Sequence, residues 1–178
     1  PAQLDGQTHP VELRAGWNPH GLGFSLTVSG RKLPPISRPH DPTQPDSLEL
    51  WIDTRDTQTI HRATRYCHHF CVLPTGGGDD GRSACTVPLP VARAKEDAPL
   101  AEADLFLTQC RATSSGYVLD VWIPSEALTG FDVVHQPRLG FYAWLNDAEH
   151  GPVPFAVGAE FPAAADPSLW HTLELVDA

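Results

Sequence analysis

The sequence predicts an all-β protein built as an antiparallel β-sandwich. Three observations support this prediction. Short segments alternate apolar and polar residues with a period of two, which is typical of strands that bury one face. Turn-forming residues separate these segments, and the chain contains 18 Pro and 14 Gly. No segment sustains the 3.6-residue apolar period of a helix, so we expect two packed sheets of the jelly-roll or immunoglobulin-like kind.

The N-terminal part predicts a hairpin followed by a long loop. Residues 11–17 form a first short strand, and residues 18–21 form a turn by composition. Residues 22–29 alternate cleanly and place Leu22, Phe24, Leu26 and Val28 inward. Residues 30–45 contain five prolines, which predicts an irregular surface loop.

Residues 46–73 contain two strand patterns and most of the unusual chemistry. In residues 48–53 the alternation turns three aliphatic side chains toward the core, namely Leu48, Leu50 and Ile52. The opposite face then carries Glu49, Trp51 and Asp53, a set that is costly to bury without partners. In residues 66–73 one face carries Tyr66, His68, Phe70 and Val72, and the other carries Cys67, His69 and Cys71.

The remaining chain predicts further short strands joined by turns. Residues 74–82 are a Gly-rich turn and residues 87–98 are weakly structured. Strands are predicted at 103–111, 117–123, 139–146, 155–160 and 173–176. Residues 124–128 suggest one helical turn capped by Ser125. In residues 139–146 the alternation directs Tyr142, Trp144 and Asn146 outward.

Composition and charge exclude several functions. The 178 residues fit one domain, 1–178. A formal net charge of −10 argues against nucleic acid or an anionic membrane as a partner, because both require a basic patch. The chain lacks the GxSxG, HExxH and P-loop patterns, which favours a non-catalytic protein.

The four cysteines leave a metal site open as an alternative. On one extended strand Cys67 and Cys71 lie about 13 Å apart, too far for a disulfide or for one shared ion, and free thiols are favoured over pairing with Cys85 or Cys110. Either Cys67 with His69, or His69 with Cys71, could chelate zinc if another strand supplied a third ligand. Calcium could bind Asp53 with Asp56, or Asp79 with Asp80. No cofactor is predicted otherwise.

Six segments in order carry a resemblance to a known family. They read RAGWNPHGLGFSLTVSG, DSLELWIDTRD, HHFCVL, GYVLDVWIP, PRLGFYAWLNDAEHG and DPSLWHTLEL. Together they resemble the family 9 carbohydrate-binding modules and their DOMON-like relatives over nearly the whole chain, with Leu4-Asp5-Gly6 matching the family's early "ldG" element. The resemblance implies a non-catalytic module that recognises a sugar or other small polar ligand on one sheet face.

The resemblance also implies where the ligand would sit. Family 9 modules hold a sugar between two Trp rings, with carboxylate, amide and guanidinium groups on its hydroxyls. Glu49 matches the family's carboxylate, whereas the Trp positions hold Thr43-Gln44-Pro45 and Ala163-Ala164-Ala165. The positions of the family's Arg and Asn hold Cys71 and Leu73.

We therefore expect a binding surface on one sheet face, since aromatic faces stack on sugar C–H groups and carboxylates fix hydroxyls. Its candidate residues are Glu49, Trp51, Asp53, His69, Tyr142, Trp144 and Asn146. Two alternatives stay open for these side chains. Trp51 and Trp144 could serve packing alone, and the carboxylates could pair with the cluster of Arg55, Arg62 and Arg65. The alternative function is a sandwich whose Cys/His face binds a metal or a protein partner.

Overall fold

The computed structural model describes residues 10–176, which form two antiparallel sheets packed face to face. The four-stranded sheet contains β1 (Val11–Asn18), β2 (Gly21–Ser29), β6 (Leu107–Thr113) and β7 (Gly116–Pro124), in the order β1-β2-β7-β6. The six-stranded sheet contains β3 (Ser47–Asp53), β4 (Cys67–Gly77), β5 (Ser83–Leu89), β8 (Arg138–Asp147), β9 (Gly151–Pro154) and β10 (His171–Glu174). Its order is β10-β8-β3-β4-β5, and β9 pairs with β8. The predicted all-β sandwich is confirmed.

The main core lies between the two sheets and follows the predicted alternation. Leu48, Leu50 and Ile52 of β3 are at most 1% exposed and pack in this cluster. The four-stranded sheet contributes the inward side chains that the alternation predicts, namely Leu22, Phe24, Leu26, Val28, Tyr117, Leu119, Val121 and Ile123. In β2, β3 and β7, every second side chain therefore points into the core, as the sequence predicts.

A second, smaller apolar cluster covers the outer face of the six-stranded sheet. Trp51, Cys67 and Tyr142 project from the sheet into this cluster. Connecting segments cover them with Ala63, Val91, Ala163 and Trp170. Trp170 is 1% exposed and donates its indole N–H to the carbonyl of Ala163 at 2.7 Å, which fixes the covering segment. The outer face of the six-stranded sheet is thus partly covered by connecting loops rather than fully exposed to solvent.

Several predicted boundaries are wrong. Strand β5 was not predicted, and β9 occupies residues 151–154 instead of 155–160. Residues 103–105 form a 3-10 helix, so β6 begins only at Leu107. The predicted helical turn is a 3-10 helix at Ser125–Ala127, but Ser125 lies inside it and no side chain caps it. Further 3-10 helices lie at Ala163–Ala165 and Pro167–Leu169.

Leu4-Asp5-Gly6 lies outside the described residues 10–176. The assignment of the whole chain 1–178 to a single domain stays a prediction. Within residues 10–176 no helix has the length and apolarity needed to cross a membrane.

The long proline-containing loop is anchored at both ends by a buried ion-pair cluster. Arg31 donates to Asp46 at 2.7 Å and also pairs with Asp147 at the end of β8. Asp46 further accepts the backbone amides of Ile36 at 2.9 Å and Ala148 at 2.8 Å. Because Arg31, Asp46 and Asp147 are at most 8% exposed, this buried cluster joins the loop to the β8–β9 turn and fixes where β3 begins.

Candidate functional site

The outer face of the six-stranded sheet brings six of the seven predicted ligand-binding residues together. Strand β3 is central and pairs with β4 on one side and β8 on the other. Trp51 lies opposite His69 and Tyr142, and Glu49 lies opposite Cys71 and Trp144. Asn146 lies opposite Ser47 at the same end of the sheet. The alternation of each of the three strands, as the sequence predicts it, therefore places these side chains on the same face of the sheet.

Glu49 is the polar centre of this surface. It is 8% exposed, and its Oε1 accepts a hydrogen bond from Asn146 Nδ2 at 2.8 Å. Its Oε2 lies 2.9 Å from Nε2 of His69. The Asn146 amide is itself fixed, because its Oδ1 accepts the indole N–H of Trp144 at 2.7 Å and its Nδ2 also donates to the Thr43 carbonyl at 3.0 Å. A carboxylate can accept further hydrogen bonds, so Glu49 retains capacity for a ligand.

Trp51 is buried in an aromatic stack at the middle of the surface. Its ring lies 4.3 Å from His69 at an interplanar angle of 10°, and 5.2 Å from Tyr142. It is only 3% exposed, and its Nε1 is buried without a hydrogen-bond partner among residues 10–176. A buried N–H without an acceptor costs about 1–3 kcal/mol. Trp51 therefore packs, as one of the alternatives predicts.

Tyr142 both packs in the outer apolar cluster and lines the proposed surface. Its hydroxyl donates to the Val157 carbonyl at 3.1 Å, which ties β8 to the covering segment. Burial, with the nearby Glu49 carboxylate, raises the pKa of Tyr142 to about 12, so the phenol stays neutral. Tyr142 therefore contributes an uncharged aromatic ring to this surface.

Asp53 lies apart from the other predicted ligand-binding residues. It is 1% exposed and accepts the backbone amides of Arg55 at 2.9 Å and Thr57 at 2.7 Å. Burial raises its pKa, although those two amides act in the opposite direction. Asp53 therefore holds the turn that follows β3. It does not line the cavities described below.

The predicted pairing of the carboxylates with the arginine cluster does not occur. Arg55 lies over the ring of Tyr66 at 4.8 Å, and Arg62 donates to the carbonyls of Arg93 and Ala94. Arg65 approaches Glu96 at 3.9 Å. Glu49 instead contacts His69, so its carboxylate lies on the outer face of the six-stranded sheet.

Two adjoining cavities open on this surface and share Glu49, Trp51 and Ala164. One has a volume of about 270 Å³ and is lined further by Tyr142, Trp144 and a loop segment from Ala159 to Ala165. The other, of about 370 Å³, is lined further by Thr43, His69 and the segment 89–92. Glu49 and Trp51 thus form a common wall between two spaces that a small polar ligand could occupy.

Sequence reasoning missed Phe161 as a site residue. Phe161 is 49% exposed and lines the smaller cavity together with Trp144. Its only sequence signal is an aromatic residue directly before Pro162, just after a segment predicted as a strand. The positions that correspond to the family's clamp also line the cavities, because Ala164 borders both and Thr43 borders the larger one. Small side chains therefore stand at the predicted clamp positions.

A compact group of potential metal ligands lies beside the larger cavity, which two of its members, Glu49 and His69, line. One ligand atom each from Glu49, His69 and Cys71 lies within 4.8 Å of the others, and all three residues are buried. All four cysteines are free. Burial, followed by the Glu49 carboxylate, raises the pKa of the Cys71 thiol. Cys67, also predicted as a ligand, faces the turn near Asp53, and burial raises its pKa to about 12.

A wide groove of about 860 Å³ lies on the outer face of the other sheet. It is lined by Trp122, Ser25 and Asp120, and Ser25 donates to Asp120 at 2.6 Å. Leu107 at its edge is 70% exposed. This open groove, the comparison groove, contains one indole and, among residues 10–176, no buried polar group that lacks a hydrogen-bond partner.

Solved structures share this fold. A family 9 carbohydrate-binding module from Caldicellulosiruptor kristjanssonii in complex with cellotriose is 19% identical, with a TM-score of 0.61 over 95% of this chain and 77% of that one. The same kind of module from that organism in complex with glucose is 17% identical, with a TM-score of 0.61 over 97% of this chain and 80% of that one. No protein-family model and no curated protein sequence matches the chain. These similarities show the fold.

Proposed function

We propose that this chain, which has the fold of family 9 carbohydrate-binding modules, is a non-catalytic module that binds a glucose-containing saccharide on the outer face of its six-stranded sheet. The binding site is the smaller cavity between Trp144 and Phe161. Glu49 lies in its wall.

One observation carries the proposal: the cavity combines aromatic rings with an oriented carboxylate. Trp144 and Phe161 line it, and both rings retain accessible surface. Aromatic faces stack on the C–H side of a sugar ring, and a carboxylate accepts its hydroxyls. Asn146 and His69 hold the two oxygens of Glu49, so the carboxylate is fixed before a ligand arrives.

The nature of the ligand follows from the site's charge and from its structural neighbours. Glu49 is the charged side chain of the cavity lining, and no Lys or Arg among residues 10–176 pairs with it. A neutral, hydroxyl-rich ligand fits this better than an anionic one. The neighbours are described as complexes with cellotriose and glucose, which makes β-linked gluco-oligosaccharides the first ligands to test.

The test is calorimetric titration with glucose, cellobiose and cellotriose, followed by tryptophan fluorescence. The Trp144→Ala variant should bind about two- to tenfold more weakly, because ring stacking contributes about 0.5–1.5 kcal/mol and each 1.4 kcal/mol is tenfold in affinity. Trp144→Phe keeps a ring and should lose less. Glu49→Gln, which keeps the shape and removes the charge, should also weaken binding.

Trp122→Ala is the matched control, because this indole lies on the opposite sheet and lines the comparison groove. Its affinity should equal that of the unmodified protein. Loss of binding in Trp122→Ala with retention in Trp144→Ala would place the saccharide on the wrong face for this proposal. Absence of binding to all gluco-oligosaccharides would reject it.

A further inference from the structure

The cluster of Glu49, His69 and Cys71 has the composition of a transition-metal site. We propose that these three side chains bind one Zn²⁺ ion, through a carboxylate oxygen, an imidazole nitrogen and a thiolate. Zinc accepts all three donor types and is commonly bound by four tetrahedral ligands. The mixed nitrogen, sulfur and oxygen set disfavours Ca²⁺ and Mg²⁺, which require oxygen ligands. This inference does not depend on saccharide binding.

The distances already approach those of a coordinated ion. His69 Nε2 lies 2.9 Å from Glu49 Oε2 and 3.8 Å from Cys71 Sγ. Tetrahedral zinc with bonds of about 2.0–2.3 Å places neighbouring ligand atoms about 3.3–3.6 Å apart. The three atoms all lie within 4.8 Å of one another, so shifts of about an ångström would complete the geometry.

The strand register explains why these residues meet. Glu49 on β3 lies directly opposite Cys71 on β4, and His69 lies two positions along β4 on the same face. The two residues on one strand and the third on its neighbour form a triangle on a rigid sheet. Rigid elements keep ligand atoms in position better than loops do.

Neighbouring groups orient the ligands from outside. Asn146 Nδ2 holds Glu49 Oε1 at 2.8 Å and leaves Oε2 facing His69. Trp51 stacks on the His69 ring at 4.3 Å and restricts its rotation. Outer contacts of this kind fix ligand orientation, and their loss typically lowers metal affinity about 10–100-fold.

Charge and access also favour an ion here. A thiolate and a carboxylate carry two negative charges, which Zn²⁺ neutralises in a buried setting. On binding, a sulfur-to-zinc bond replaces the S–H bond of Cys71, and that proton passes to solvent. The proton between His69 Nε2 and Glu49 Oε2 also leaves, so that both atoms are free to bind zinc and the neutral imidazole carries its proton on Nδ1. Glu49 and His69 line the larger cavity, so a water molecule can reach the ion and supply a fourth ligand.

The experiment uses cobalt as a visible substitute for zinc. Chelator-treated protein is titrated with Co²⁺, and absorption is measured in the regions of sulfur-to-cobalt charge transfer and of tetrahedral d–d bands. We expect one Co²⁺ per chain, both band types, and displacement by Zn²⁺. Cys71→Ser should remove the charge-transfer band, and Asn146→Ala should weaken Co²⁺ binding about 10–100-fold.

Cys67→Ser is the matched control, because Cys67 is buried on the same face of the same strand but is not part of the cluster. It should retain the charge-transfer band. Circular dichroism checks that each variant is folded, and His69→Gln serves if Cys71→Ser does not fold. Absence of a stoichiometric ion, or loss of the band in Cys67→Ser alone, would overturn the proposal. Cellotriose titration of chelated protein shows separately whether saccharide binding stands.

Discussion

His68 shows how one buried histidine affects stability. It is 3% exposed between the sheets, stacks on Phe70 at 6.0 Å, and its Nε2 lacks a hydrogen-bond partner within residues 10–176. Burial lowers its pKa to about 4, although a backbone hydrogen bond to Thr129 acts in the opposite direction. The folded protein therefore keeps this imidazole neutral at pH values where the unfolded chain protonates it.

We predict that the free energy of unfolding decreases as the pH falls from about 6.5 to about 4 because of His68. Above pH 6.5 both states are neutral and the stability is complete, whereas below it only the unfolded state takes up the proton. The decrease in the pKa of His68 from its ordinary value of 6.5 to about 4 corresponds to a loss of about 3 kcal/mol at most. Urea unfolding at several pH values measures it.

The matched pair for this prediction is His68→Asn and His20→Asn. Asparagine can keep a donor near the ring's δ position but does not titrate, so His68→Asn should flatten the profile between pH 6.5 and 4. His20 is exposed, and its replacement should leave the profile unchanged. A profile in His68→Asn that falls as steeply as that of the unmodified protein would show that another group is responsible.

At the scale of elements, the Arg31 cluster predicts a large loss of stability when one partner is removed. Arg31→Met leaves the carboxylates of Asp46 and Asp147 buried without their cation. Breaking a buried pair in this way typically costs about 3–5 kcal/mol. Denaturant unfolding should therefore show a decrease of this size in the free energy of unfolding.

Arg14→Met is the control for that change, because Arg14 pairs with Glu12 at 3.0 Å on the exposed face of β1. Pairs of this exposed kind contribute little to stability, so the variant should unfold like the unmodified protein. Equal effects of the two substitutions would show that burial of the Arg31 cluster contributes nothing.

The covering segment offers a gain of function. Ala164 borders both cavities and is exposed, so a Trp there would add a ring beside the proposed saccharide site. We expect Ala164→Trp to bind cellotriose about two- to tenfold more tightly, because a stacked ring contributes about 0.5–1.5 kcal/mol beyond area burial. Calorimetry compares it with Ala148→Trp, whose exposed position borders neither cavity. Unchanged affinity in Ala164→Trp would contradict the assigned position of the ligand.

The strands that the sequence could not predict are edge strands with proline. Strand β5 is at the edge of its sheet and contains Pro88, and β9 contains Pro152 and Pro154. Proline is tolerated at an edge, where its missing N–H need not join the ladder, but in a sequence it argues against a strand. Alternation predicted the central strands β2, β3, β4, β7 and β8 because they bury a face.

The surface residues were predictable for the same reason, and the covering loops were not. Alternation with a period of two shows which side chains share a face of the sheet. Glu49, Trp51 and His69 could therefore be placed together. It does not state which loops fold over that face. Consequently Phe161 was missed, and the burial of Trp51, which is 3% exposed, could be given only as an alternative.

For the whole molecule, one sheet separates the packed core on its inner face from the proposed binding site on its outer face. Strand β3 contributes Leu50 to the core between the sheets and its neighbour Glu49 to the outer surface. Because alternate side chains point to opposite faces, substitutions one residue apart should have different consequences. The core position should affect unfolding, and the outer position should affect ligands.

We predict that Leu50→Ala lowers the free energy of unfolding by about 2–5 kcal/mol, because it opens a cavity at a fully buried position. Its affinity for cellotriose should remain that of the unmodified protein below the unfolding transition. Glu49→Gln should show the opposite pattern, with weakened binding and a smaller change in stability. Calorimetric titration and urea unfolding of both variants make the comparison. If Leu50→Ala weakened binding as much as Glu49→Gln, the two faces of β3 would not act independently, and recognition would depend on the packing of the entire sandwich.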